Sequence, residues 1–147
     1  MVGVADLWRN EPLVAALLAW FIAQVLKAPF SLLRERRFDL TRLVESGGMP
    51  SSHTALVVAL SYSVGINYGL DSPLFAIAAV FSGVVMYDAA GVRRAAGKQA
   101  EILNIIISEF QHHEGIRGER LKELLGHTPF EVLVGALLGL GVAAYLH

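Results

Sequence analysis

The chain has no cysteine, which excludes disulfides and thiolate metal sites. Charge is scarce as well. Asp, Glu, Lys and Arg make up 17% of the 147 residues, against about 25% in a typical soluble domain. The two signs nearly cancel, leaving a formal net charge of −1, which says little about partners because the distribution of charge matters more; no nucleic-acid partner is expected. A basic opening segment is missing too. The start, MVGVADLWRNEP, carries an early acid and does not read as a cleaved signal peptide. What the chain has in abundance is apolar surface: 54% of residues are hydrophobic and mean hydropathy is +0.53.

That apolar content falls in four runs: Pro12 to Leu26, Thr54 to Tyr68, Pro73 to Tyr87 and Phe130 to Leu146. Only Glu131 interrupts them with a charge. Each is slightly shorter than the roughly 20 residues that span a bilayer, and flanking turns can extend it. A soluble bundle is the alternative, but four helices apolar all round would leave little chain to cover them in water. The expected fold is therefore all-α, an integral membrane bundle of about four spans. Three starts carry a capping residue before a proline at the first helical turn: Asn10-Glu11-Pro12, Asp71-Ser72-Pro73 and His127-Thr128-Pro129. Ser51 and Ser52 offer caps for the second run. Gly135 and Gly139 form a small-xxx-small face, read either as a close-packing surface or as ordinary glycine in a membrane helix.

Two connections are long and polar, Ala28 to Met49 and Asp88 to Gly126, whereas Asn67 to Ser72 is a tight turn. Within the second, Gln99 to Phe110 spaces Ile102, Leu103, Ile105, Ile106, Ile107 and Phe110 as an amphipathic helix lying on the membrane or against the bundle. Arg117 to Leu125 reads as a further short helix, and His112 and His113 as surface-loop residues. Ten of the twelve Lys and Arg residues lie in the two long connections. The positive-inside rule then predicts both connections on the cytoplasmic side and both termini outside. A phosphate site would recruit some of those arginines for its own reasons.

Folded as paired hairpins, the chain brings chemistry to one membrane face. Lys27 ends the first span, Pro50-Ser51-Ser52-His53 opens the second, Asp88 and Arg93-Arg94 follow the third, and His127 and Glu131 open the fourth. Helix N-termini favour anions. Lysine and arginine add charge-assisted bonds to phosphate oxygens. One histidine can attack phosphorus while another protonates the leaving oxygen.

These residues resemble the divergent branch of the type 2 phosphatidic acid phosphatase (PAP2) superfamily, related to vanadium haloperoxidases. The superfamily pattern is K-x6-R-P, then P-S-G-H, then S-R-x5-H-x3-D. Lys27-APFSLL-Arg34 reproduces the first part, with Glu35 in place of proline. Pro50-Ser51-Ser52-His53 matches the second, with Ser52 in place of glycine. His127-TPF-Glu131 matches the end of the third with glutamate for aspartate, and Arg120 and Leu121 stand where Ser-Arg is expected. YDAAGVRRAAGKQAE, Tyr87 through Glu101, and KELLGHTPFEV, Lys122 to Val132, resemble the divergent branch itself. The likeness covers nearly the whole chain, so residues 1–147 read as a single PAP2-like membrane domain.

The resemblance implies a phosphatase acting on a membrane lipid or isoprenoid phosphate or diphosphate. His127 would form the phosphohistidine, Glu131 would orient its ring, and His53 would be the general acid. Lys27, Arg34, Ser51 and Ser52 would hold phosphate, with Arg93, Arg94 or Arg120 replacing the missing arginine, the first two favoured. No metal or cofactor is implied, because cations and helix ends neutralise the phosphoryl charge. Four spans are fewer than the superfamily's core of about six helices, so a homo-oligomer is expected.

Each residue also has a plainer reading. Glu131 completes a capping box with Thr128, a role that competes with orienting His127. The serines cap a helix, His53 sits at an interface, and Lys27 snorkels from a helix end. Asp88 pairs with Arg93 or Arg94, and Arg36, Arg37 and Arg42 act as topology signals or headgroup contacts. Two other functions compete. One is a metal-dependent phosphotransferase, since Asp88-AAG-Val-Arg93 loosely resembles the start of the CDP-alcohol phosphotransferase motif, whose later paired aspartates are absent. The other is a non-catalytic oligomeric membrane protein that binds anionic lipid or phosphate.

Overall fold

The computed structural model describes residues 3–35, 48–114 and 126–147. Among them every regular element is a helix. A short 3₁₀ helix at Val4–Arg9 precedes α1 (Glu11–Glu35), α2 (Ser52–Tyr68), α3 (Pro73–Ala90), α4 (Val92–Glu114) and α5 (Pro129–Leu146). The caps fall where the sequence placed them. Asn10 Oδ1 accepts from Leu13 N–H at 3.2 Å, Ser72 Oγ from Phe75 N–H at 3.2 Å, and Thr128 Oγ1 from Glu131 N–H at 3.3 Å. Each satisfies an orphan donor of a helix start.

Two elements outrun their expected bounds. Helix α1 continues past Leu26, through Pro29, to Glu35. A proline costs one helical hydrogen bond and usually kinks a helix. Membrane helices tolerate this where neighbours compensate, and Phe30, Leu32 and Leu33 carry the apolar content onward. Helix α4 starts at Val92, directly after Gly91, rather than near Gln99. Gly91 N–H donates to Tyr87 O and Gly91 O accepts from Ala95 N–H, so α3 and α4 meet in nearly continuous helix. The backbone of His112 and His113 therefore lies in helix rather than loop.

The interior is built from small residues. Ala15, Ala19 and Ala23 on α1, Ala55 and Ala59 on α2, and Ala143 on α5 form the buried cluster. Large apolar side chains point outward instead: Phe21, Ile77, Val80, Phe81, Leu133 and Leu137 are all more than half exposed. A soluble bundle would do the opposite, whereas bilayer helices approach closely through small residues and offer bulky ones to lipid. Among the described residues, three stretches are long and apolar enough to cross a membrane: Glu11–Phe30, Pro73–Ser108 and Pro129–Leu146. At 17 residues, α2 sits at the lower limit of about 17 for a span. It packs against α1, α3 and α5, while α4 contacts α3.

The glycine face of α5 is a packing surface. A methyl group on Gly135 would overlap the Ser51 carbonyl oxygen, and one on Gly139 would overlap the Ala55 carbonyl oxygen. Backbone meets backbone along this seam.

Candidate functional site

The buried ladders run in four-residue steps, and each leads to a polar group at one end of the bundle. Ala15, Ala19 and Ala23 lead to Lys27 on α1. Ala59 and Ala55 lead back to Ser51, the cap of α2, and Ala143, Gly139 and Gly135 lead back to Glu131 on α5 and to His127 just ahead of it. A four-residue step keeps side chains on one helix face. Helix α1 presents its C-terminal half, and α2 and α5 their N-termini. Lys27 and His127 are each only 2% exposed, and Ser51, Ser52, Thr54 and Glu131 are buried with them. Such polar groups are expensive to bury unless satisfied.

Main-chain bonds fix this end. Ser51 N–H donates to Glu131 O at 3.2 Å, tying the cap of α2 to the first turn of α5. His127 N–H donates to Ala89 O at 3.1 Å, tying the approach to α5 to the end of α3. Ahead of α2, Gly48 has φ +90°, a left-handed conformation that glycine adopts without a Cβ penalty. Ser51 is the capping serine: its Oγ accepts from Thr54 N–H at 3.4 Å and from Thr54 Oγ1–H at 3.0 Å.

The two roles expected to compete at Glu131 coexist on a single atom. Glu131 Oε2 accepts from Thr128 N–H at 3.0 Å, closing the capping box, and lies 3.4 Å from His127 Nδ1. Assigning the Nδ1 proton to this contact makes Nε2 the unprotonated ring nitrogen. His53 is half-buried in the first turn of α2, and Asp88 half-buried near the end of α3. Arg34 falls in the last turn of α1, and Arg93 and Arg94 in the first turn of α4. The side chains of these three, and Arg36, Arg37, Arg42, Arg120 and the Arg117 to Leu125 segment as a whole, lie outside the described part. Among the described residues, no cluster of three or more His, Asp or Glu side chains could hold a metal ion.

Sequence reasoning had no signal for a second polar group at the opposite end. Ser63 Oγ lies 2.6 Å from His147 Nε2, and His147 Nδ1 lies 4.0 Å from Glu11 Oε2. It joins the end of α2 to the end of α5 beside the start of α1. Nor did it anticipate a cavity of about 410 Å³ among α2, α3 and α5, lined by Val58, Tyr62, Gly65, Phe75, Ala79 and Leu140 among others.

Apolar helices packed through small residues, with a buried polar cluster at one end, define an integral membrane helical bundle. The chain belongs to the Divergent PAP2 family, whose model matches residues 8–142. It is similar to "Uncharacterized membrane protein YuiD" of Bacillus subtilis (strain 168), 42% identical over 146 residues and covering 92% of each chain. No solved structure matches it.

Proposed function

We propose that the protein hydrolyses a lipid or isoprenoid phosphate or diphosphate through a phosphohistidine on His127. The observation that carries this reading is the His127–Glu131 pair, 3.4 Å apart at the start of α5 and tied by main chain to the serine cap of α2. In the first step Nε2 forms a bond to phosphorus as the bond to the leaving oxygen breaks. His53 donates a proton to that oxygen. In the second, water attacks phosphorus, His53 takes its proton and the N–P bond breaks, releasing phosphate. Glu131 holds the ring and stabilises its positive charge. Lys27, the first-turn amides of α2, Ser51 and Ser52 receive the phosphoryl oxygens. Arg34 and Arg93 or Arg94 add positive charge from neighbouring helix ends.

In this reading cations and helix termini do the work of a metal, so a chelator leaves turnover unchanged. The long basic connections and the site face the cytoplasm, and a second copy supplies the missing wall of the bundle. Purified protein should release phosphate from lipid phosphates, and His127→Ala should abolish release. His53→Ala should slow it about 10²- to 10⁴-fold. Equal activity of wild type and His127→Ala removes the nucleophile from the scheme.

One observation favours a second reading. His127 is only 2% exposed, and the Glu131 oxygen that faces it also closes the capping box, as in a structural motif. A non-catalytic oligomer that binds anionic lipid or phosphate would bind vanadate tightly and turn over nothing across a broad substrate panel.

A further inference from the structure

Helix α4 carries the outer face of α3 onward. Ile77, Phe81 and Val84 point outward from α3, and Ala95, Ile102 and Ile106 are exposed on α4. Successive members of this series are three, four, seven or eleven residues apart, so they fall on one side of a helix. The covered side keeps register in the same way. Ala78, Ser82 and Ala89 are buried on α3, and Gly97 and Asn104 on α4. Helix α4 therefore hides a glycine and an asparagine and shows its isoleucines. A helix docked on a soluble core does the reverse, whereas the lipid-facing helices of this bundle share the inversion. Among the described helices α4 touches only α3, so the bundle does not cover the isoleucine face.

Length decides how α4 sits. Pro73–Ser108 is one stretch of 36 residues apolar enough for a membrane. At about 1.5 Å per residue it is about 54 Å long, against a hydrocarbon layer of about 30 Å. The 18 residues of α3 already reach about 27 Å. An upright α4 would lift Ile102 and Ile106 roughly 18–24 Å beyond the end of α3 and leave them in water. Gly91 offers a turn. Its φ of −106° and ψ of −76° depart from the values of about −63° and −42° in an α-helix.

We infer that α4 turns outward at Gly91 and lies along the membrane surface, with Ile102 and Ile106 sunk into lipid. The partner is the bilayer interface itself. An outward turn folds the outer stripe of α3 onto the underside of α4, so one lipid-facing surface runs unbroken across both helices. Gly97 and Asn104 then face away from the lipid. Charge fits the same placement. Arg93, Arg94 and Lys98 occupy the first two turns ahead of any acid. Lys98 is exposed one turn from Ile102, where its stem can lie on lipid while its ammonium reaches the headgroup phosphates. Helix α4 begins three residues after Ala89, whose carbonyl accepts from His127 N–H. Anchored in this way, the polar end of the bundle is held at headgroup depth. The placement is independent of whether His127 is a nucleophile.

Because the chain has no cysteine, single spin labels can report depth. Full-length Ala95→Cys, Glu101→Cys, Ile102→Cys, Ile106→Cys and Ser108→Cys, each labelled, go into vesicles of phosphatidylcholine and phosphatidylglycerol. Collision with oxygen, which concentrates in lipid, and with a nickel chelate, which stays in water, gives the depth of each label. Labels at positions 95, 102 and 106 should meet oxygen, exclude nickel and share one depth. Labels at positions 101 and 108, on the exposed flank, should meet nickel. An upright α4 would separate positions 95 and 106 by about 16 Å in depth. That gradient would overturn the proposal, as would nickel reaching positions 102 and 106 as freely as position 101. So would spin–spin broadening at position 102 that disappears on dilution with unlabelled protein, since this face would then be a contact between copies. Ile102→Trp and Ile106→Trp, quenched by lipids brominated along their chains, read the same depths if a cysteine variant folds poorly. Phosphate release is no part of the readout, so loss of the hydrolase scheme leaves the anchor standing, and loss of the anchor leaves the scheme.

Discussion

Replacing Gly139 by alanine tests the closeness of α2 and α5 directly. The added methyl would overlap the Ala55 carbonyl oxygen and stand 3.1 Å from both the carbonyl carbon and Cα of that residue. These are backbone atoms, so no rotamer change relieves the clash and the helices must separate. Overpacking of this kind costs about 1–3 kcal/mol, offset by about 1 kcal/mol from the better helix propensity of alanine. A rigid obstacle favours the upper half of the range, giving a net loss of about 1–2 kcal/mol. Gly141, two residues on, is exposed, and a methyl added there would meet nothing within 4 Å, so Gly141→Ala should gain up to about 1 kcal/mol. The two variants should therefore differ by about 2–3 kcal/mol. For a chain of this size that is roughly 4–12 °C in apparent melting temperature on the soluble-protein scale. The assay is recovery of monodisperse protein by size exclusion after heating in a mild detergent. If Gly139→Ala survives heating as well as Gly141→Ala, the backbones do not meet at this seam and the ladder reasoning fails with it.

The other predictions concern single polar contacts. Thr128→Ala removes the side-chain acceptor of Glu131 N–H and should cost about 1 kcal/mol, read by the same heating assay. Glu131→Gln keeps an acceptor for Thr128 N–H but loses the charge facing His127. It should hold stability within about 1 kcal/mol while phosphate release falls at least about 10²-fold; a parallel fall in stability would assign Glu131 to capping alone. Ser82→Ala breaks the Ser61–Ser82–Val57 chain and should cost about 1 kcal/mol, without changing phosphate release from a water-soluble substrate.

Much of this architecture is legible in the chain because it depends on local chemistry. A cap followed by proline announces a helix start wherever it occurs, and Asn10, Ser72 and Thr128 all cap as read. Long apolar runs announce membrane helices, and the placement of Lys27, Ser51, Glu131 and His127 at one end follows from hairpin topology. What escaped reading depends on tertiary contact. Helix α1 passes through Pro29 into the stretch from Ala28 that reads as a polar connection. One carboxylate oxygen serves both a cap and a histidine, which spacing presents as alternatives. The Ser63–His147 contact joins residues far apart in sequence, with no motif to flag it. The cavity depends on how α2, α3 and α5 lie against one another, a matter of helix packing that no residue pattern encodes.

The two main-chain bonds at the polar end, Ser51 N–H to Glu131 O and His127 N–H to Ala89 O, bear on which residues can vary without moving the rest. Such bonds do not depend on side-chain identity. A substitution at position 52 or 131 can alter charge, reach or acidity while the three helix ends keep their mutual positions. The serine where the superfamily pattern has glycine, and the glutamate where it has aspartate, are changes that this frame can absorb. The side chains at the bundle end are thereby uncoupled from its scaffolding, so chains of this kind have room to diverge there while retaining one shape.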